Sequence, residues 1–300
     1  MAGITIIRPQ AITPAMIVTT DVPEADYAAW AAGTTYALGA RVIVVAAHKV
    51  YESLQAGNVG HDPTTSPTWW VEVSATNRWA LFDTSSTTAT SQAGGFTYTL
   101  APGEIFNSLA MVNVAASSVR VRVVDPTDGA VYDRTRQLIG PISEPSWYAY
   151  FFDPVETAAA AVFTDLPAYS TATVRVDFIG SGTVSCGVLL VGRRADVGVT
   201  VTSGAAIELR DYSIKKTDDF GQSVFVRRSN ALQVTFSLIV ENSNVDAVTR
   251  LFRAITATPC MWICSSRFES MQQFGFFDKF RTLIKYPSHS ECELSIQGLT

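Results

Sequence analysis

The chain has 300 residues and a mass of 32.4 kDa, enough for two or three domains, and 47% of its residues are hydrophobic, enough to bury several cores. A charged fraction of 16%, a net charge of -5 and a pI near 5.2 offer no electrostatic footprint for phosphate backbones or anionic lipid, so nucleic acid is excluded as a direct partner. Mean hydropathy is positive at +0.18, yet no window reaches about 18 uninterrupted apolar residues; membrane insertion is not expected, and the low charge suits a chain that buries surface in an assembly.

Residues 1–26 read as an extended arm. Pro9, Pro14 and Pro23 interrupt it, which places it either along a neighbouring molecule or free as a flexible tail. The start lacks the basic residues, apolar core and small-residue cleavage site of a secretory signal, so the chain is expected to be made and retained in a cytoplasm.

Residues 27–76 form a small aromatic-rich β-module. Trp30, Gly33 and Tyr36 are an aromatic anchor, a glycine turn and a second aromatic, and Gly39 restarts the chain into the apolar run 42–47. Residues 50–54 read as a second short strand and 56–60 as a turn, after which a loop holding Pro63 and Pro67 returns to Trp69 and Trp70. A ring exposed on a rigid strand can stack on the apolar face of a pyranose, and Tyr51, Trp69 and Trp70 are the candidates for that contact. The competing reading makes the same rings the core, since so small a unit has little else to bury.

The order Trp30, Gly33, Thr34, Tyr36, Gly39, Val42, Tyr51, Gly57, Pro63 and Trp70 resembles the small chitin-binding modules of carbohydrate-binding families 5 and 12. That resemblance implies a compact β-fold and a polysaccharide ligand. Leu54 and Gln55 stand where the family pattern usually places an exposed aromatic.

Residues 77–200 read as a β-sandwich or jelly roll. A Ser/Thr/Gly-rich connector at 84–95 leads to the alternating strand 96–100, and strands follow at 107–114, 118–124, 147–152, 173–179 and 184–191. Turns are expected at 125–129 and at Gly180-Ser181-Gly182. Short strands without a long helix indicate the sandwich class. Arg120 and Arg122 alternate with valines and so share one solvated face.

Residues 201–300 read as an α+β domain of order β-β-α-β-β-β. Alternating strands at 223–228 and 232–240 are close enough to pair as a hairpin. Asn242 or Ser243 then caps a helix whose apolar stripe is Val245, Val248, Leu251, Phe252 and Ile255, and strands follow at 261–264, 274–285 and 292–297.

From Arg210 onward the order of features, Arg210 to Ser213, Asp218 to Gly221, Val245 to Ala247, Ala257 to Pro259, Trp262-Ile263, Phe274 to Phe276, Tyr286-Pro287 and Gly298-Leu299, resembles tail and baseplate proteins of tailed bacteriophages. The resemblance implies a virion structural component at a tail tip or baseplate, assembled in the host cytoplasm in several copies. Its implied partners are other tail proteins and copies of itself, with cell-surface polysaccharide reached through the N-terminal module.

No motif for bond breaking stands out. Cys186, Cys260, Cys264 and Cys292 sit in apolar strand-like settings as free thiols, and a zinc site of Cys260, Cys264, Cys292 and His289 fails on spacing, so no metal is expected. Asp218-Asp219 reads as turn chemistry, and Glu291 with Glu293 as one face of a strand. His48, His61 and His289 lie near no nucleophile motif, and no cofactor motif is present. Three hypotheses result: a non-enzymatic phage tail-tip or baseplate protein, a stand-alone carbohydrate-binding protein or binding appendage of a glycan-degrading enzyme, and, last, a polysaccharide-degrading enzyme.

Overall fold

The structure is a computed structural model that describes residues 3–85, 87–139, 158–217, 221–265 and 268–299. In chain order its strands are β1 (Ile4–Pro9), β2 (Ile17–Thr20), β3 (Arg41–Val44), β4 (Lys49–Ser53), β5 (Trp70–Ala75), β6 (Thr90–Leu100), β7 (Ser108–Ala115), β8 (Ser118–Asp125), β9 (Gly129–Gln137) and β10 (Ala160–Phe163). They continue with β11 (Thr173–Val197), β12 (Val199–Asp211), β13 (Ile214–Thr217), β14 (Ser223–Val226) and β15 (Asn230–Glu241), then helix α1 (Val245–Ala254), β16 (Cys260–Ile263), β17 (Gln272–Leu283) and β18 (His289–Gly298). The protein is mainly β with large antiparallel sheets, as its alternating sequence predicts. The strand expected at 147–152 and the Asp218-Asp219 turn lie outside the described residues. No described helix is long and apolar enough to cross a membrane.

Two compact units divide the chain, one of Ala11–Ile105 with Ala110–Leu189, the other of Met1–Gln10, Phe106–Leu109 and Leu190–Thr300. In the first, β2, β6, β11, β8 and β9 lie side by side, all antiparallel. Their register builds an apolar face row by row: Leu100, Val174 and Val123; Tyr98, Val176 and Val121; Phe96, Phe178 and Val119, all buried. Period two sends the intervening residues to the opposite face, where Arg120 grips Asp133 through two bonds of 2.8 and 2.6 Å. Asp177 on that face accepts from Thr97 (2.9 Å), Arg175 (2.7 Å) and Arg122 (3.2 Å).

The turn expected at Gly180-Ser181-Gly182 is not a turn. β11 runs straight through it, and the ladder with β6 shifts register between Ile179 and Thr183. The glycines serve a bulge within one strand, not a reversal of the chain. On the partner strand β6, Gly95 (φ 112°) lies so close to the Phe178 carbonyl that a Cβ would come within 2.4 Å of that oxygen, so a side chain there is not accommodated. β6 begins at Thr90, paired with Cys186, inside the stretch that composition marks as a connector.

In the second unit, residues 190–197 of β11 start a sheet of order β11-β1-β16-β17-β18-β15-β12. Here the expected N-terminal arm is corrected. Residues 4–9 neither trail free nor reach for a neighbour; they are β1, paired to β11 and β16, with Ile4, Ile6 and Ile7 fully buried. Pro9 is tolerated because it closes the strand. The expected hairpin of 223–228 with 232–240 is corrected too: β14 pairs with β13, while β15 pairs with β12 and β18.

Helix α1 closes one face of this sheet as its stripe predicts. Phe252 stacks on Phe280 at 4.0 Å and meets the edge of Phe277 at 5.3 Å, beside the fully buried Trp262, whose indole donates to the Gly275 carbonyl (2.8 Å). The expected cap residue has another task. Asn242 ties down the loop before β18, donating to the carbonyls of Tyr286 and Pro287 (2.9 Å each) and accepting from Ser290 (2.6 Å).

Candidate functional site

The segment 27–76 is a three-stranded sheet of order β3-β4-β5. β3 and β4 form a hairpin that sets Val42 opposite Tyr51, and β5 returns with Trp70 opposite Ser53. The flanking loops are tied to this sheet by backbone bonds: Trp30 donates to Ile43 (3.0 Å), Tyr36 and Asn58 exchange bonds of 2.8 and 3.1 Å, and Leu54 donates to Trp69 (2.9 Å). The Tyr36 hydroxyl accepts from the Ala31 N–H (2.8 Å), closing the turn around Gly33. Gly57, at φ 72°, takes the left-handed turn that a side chain resists.

Val42, Tyr51 and Trp70 are the buried centre of the module, with Trp30, Tyr36, Val44 and Trp69 packed against them. Trp70 is 2% exposed, donates its indole N–H to the His61 carbonyl (2.9 Å) and takes the edge of Tyr36 at 5.2 Å. Tyr51 is 8% exposed, and burial, with the Glu72 charge adding to it, pushes its phenol pKa up. Neither ring offers a sugar a free face, and on both the core reading displaces the contact reading. The residues that carry the family-like spacing are thus largely those that pack.

Trp69 is different. It is half-buried, and its ring lies flat on the imidazole of His61, 4.0 Å away and inclined by 12°. His61 is held there by Asn58, whose amide oxygen sits 3.2 Å from the imidazole Nδ1. Asn58 is itself buried and donates to the Ser53 hydroxyl (3.0 Å) and the Trp69 carbonyl (3.4 Å). Gln55, exposed beside this stack, donates to the Thr68 carbonyl (3.0 Å). Two flat rings fixed by a buried amide make a rigid shelf with polar neighbours, an arrangement that can stack on a sugar ring without ordering a flexible loop. His61 and Asn58 escaped the sequence reading because nothing in spacing tells that a loop histidine will fold back onto a tryptophan eight residues on. Leu54 is 44% exposed, so the place where the family pattern sets an aromatic is on the surface here as well.

The residues considered for chemistry are spread apart. Each histidine stacks on an aromatic ring: His48 on Trp79 (4.3 Å), His61 on Trp69, and His289 on Tyr286 (4.6 Å). Glu291 and Glu293 pair with Lys285 (3.7 Å) and Lys279 (3.5 Å) on an exposed face. All four cysteines are buried and free, and burial pushes their thiols up, that of Cys260 to about 12.

No family model matches the chain, and no curated protein matches it. Among solved structures, the chain is similar to a mutant of chitosan-binding module 1 from a chitosanase/glucanase of Paenibacillus sp. IK-5, at 16% identity over 38% of this chain and 82% of that one, with a TM-score of 0.26. A likeness that loose carries no argument about fold or ligand.

Proposed function

We propose that the chain is a non-enzymatic structural protein of a phage tail tip or baseplate whose N-terminal module touches host-surface glycans. The observation that supports the glycan contact furthest is the Trp69–His61 stack, held flat by a buried Asn58 while Tyr51 and Trp70 pack the core. The assembly half rests on the order of features after Arg210 and on exposed apolar side chains of the second unit, Leu209 (64%) on β12 and Phe225 (68%) on β14, which suit a surface that a neighbour covers. Weak contacts repeated over several copies add up to useful retention.

The test is retention on insoluble chitin or peptidoglycan with reducing ends measured in the supernatant. Wild type is expected to be retained with no sugar released, and Trp69→Ala to lose about tenfold in affinity while the module keeps its cooperative unfolding transition. Full retention of Trp69→Ala refutes the glycan contact, and release of reducing ends abolished by a single Asp or Glu substitution refutes the non-enzymatic reading. A stand-alone carbohydrate-binding protein is the second reading; the same shelf favours it, and a chain that stays single while binding decides for it.

A further inference from the structure

β12 ends its sheet: it pairs with β15 on one side, and no described strand pairs with the other. Residues 206–211 of this strand, which follow a register shift between Val201 and Ala206, are exposed on both faces, so this stretch of edge carries apolar side chains, Ile207 and Leu209, beside charged ones. Natural sheets blunt such edges or cover them. The ribbon that continues from it, β13 with β14, has only two strands and exposes Phe225 and Val226; on its own such a ribbon is marginal in water.

The order Ile207-Glu208-Leu209-Arg210-Asp211 says what the cover is. Laid antiparallel on a second copy of itself with the twofold axis at Leu209, the strand sets Leu209 against Leu209 and, each twice by symmetry, Glu208 against Arg210 and Ile207 against Asp211. Glu208 and Arg210 share one face by period two, and neither makes an ion pair among the described residues. Any register shifted by two residues towards the strand end loses this match. We infer that the β12 edge is a self-pairing surface, through which two copies of this chain join their sheets by antiparallel strand addition across Leu209. This rests on the reading that the chain assembles with copies of itself, and names the edge that does so.

A charge swap and a cysteine at the axis test it. Opposite-charge pairs across an antiparallel ladder stabilise and like charges oppose it, so Glu208→Arg and Arg210→Glu are each expected to raise the dissociation constant of the pair about tenfold, and the double variant to restore it. Leu209→Cys, the other cysteines being buried, is expected to give a disulfide-linked dimer under mild oxidation. The residues are exposed, and unchanged melting temperatures confirm that folding is intact. If wild type self-associates but Leu209→Cys does not cross-link, or the double swap fails to restore what the single ones lose, the edge is refuted while the assembly reading stands. A wild-type chain that never self-associates refutes both.

Discussion

At the scale of residues, burial separates groups that sequence treats alike. Trp69 and Trp70 are adjacent aromatics, yet Trp70 is buried in the core while Trp69 is half-buried at its margin, stacked on His61. Trp70→Ala is therefore expected to unfold the module, at a cost of about 3–5 kcal/mol seen as a lost transition in denaturant, whereas Trp69→Ala is expected to lower its midpoint and keep the transition. Asp177 makes the second residue-scale case. Burial pushes its carboxyl up, but the bonds from Arg175 and Thr97 and the charges of Arg175 and Arg122 outweigh that and hold it below the ordinary carboxylate range. A folded value under the unfolded one, near 3.9, means stability that is present above about pH 4 and lost as pH falls further. Asp177→Asn is expected to cost about 1 kcal/mol at pH 7 and less than that below pH 3, read from urea midpoints at the two pH values. What sequence could show here was alternation, which puts Arg120 and Arg122 on one face. It could not show that an acid three strands' worth of chain away would share that face, because the register of β8 against β11 is set by long-range pairing.

At the scale of elements, strongly periodic segments were legible and punctuation was not. The stripe Val248, Phe252 and Ile255 predicts α1, and all three side chains are buried in the sheet's core. Phe252→Ala removes the ring that stacks on Phe280 and is expected to destabilise that unit by about 3–5 kcal/mol, measured by chemical denaturation. Glycine-rich stretches were read as reversals, whereas at 180–182 the same conformational freedom serves a bulge inside a 25-residue strand. The mispaired hairpin has a similar cause. Ser229-Asn230 is a short enough link for a reversal, but the partner that β14 takes lies upstream, and proximity in sequence does not choose between two possible neighbours.

At the scale of the whole molecule, the mainly β class followed from short alternating runs, and the aromatic module from its ring spacing. The N-terminal strand did not. Prolines made residues 1–26 look like an arm, while Ile4, Ile6 and Ile7 find burial only because β11 and β16, nearly two hundred residues or more away in the chain, supply the flanking strands. Sedimentation equilibrium of the purified chain tests the account most directly: it predicts a mass that is a whole multiple of 32.4 kDa and persists on dilution, and a particle of 32.4 kDa at every concentration would contradict it.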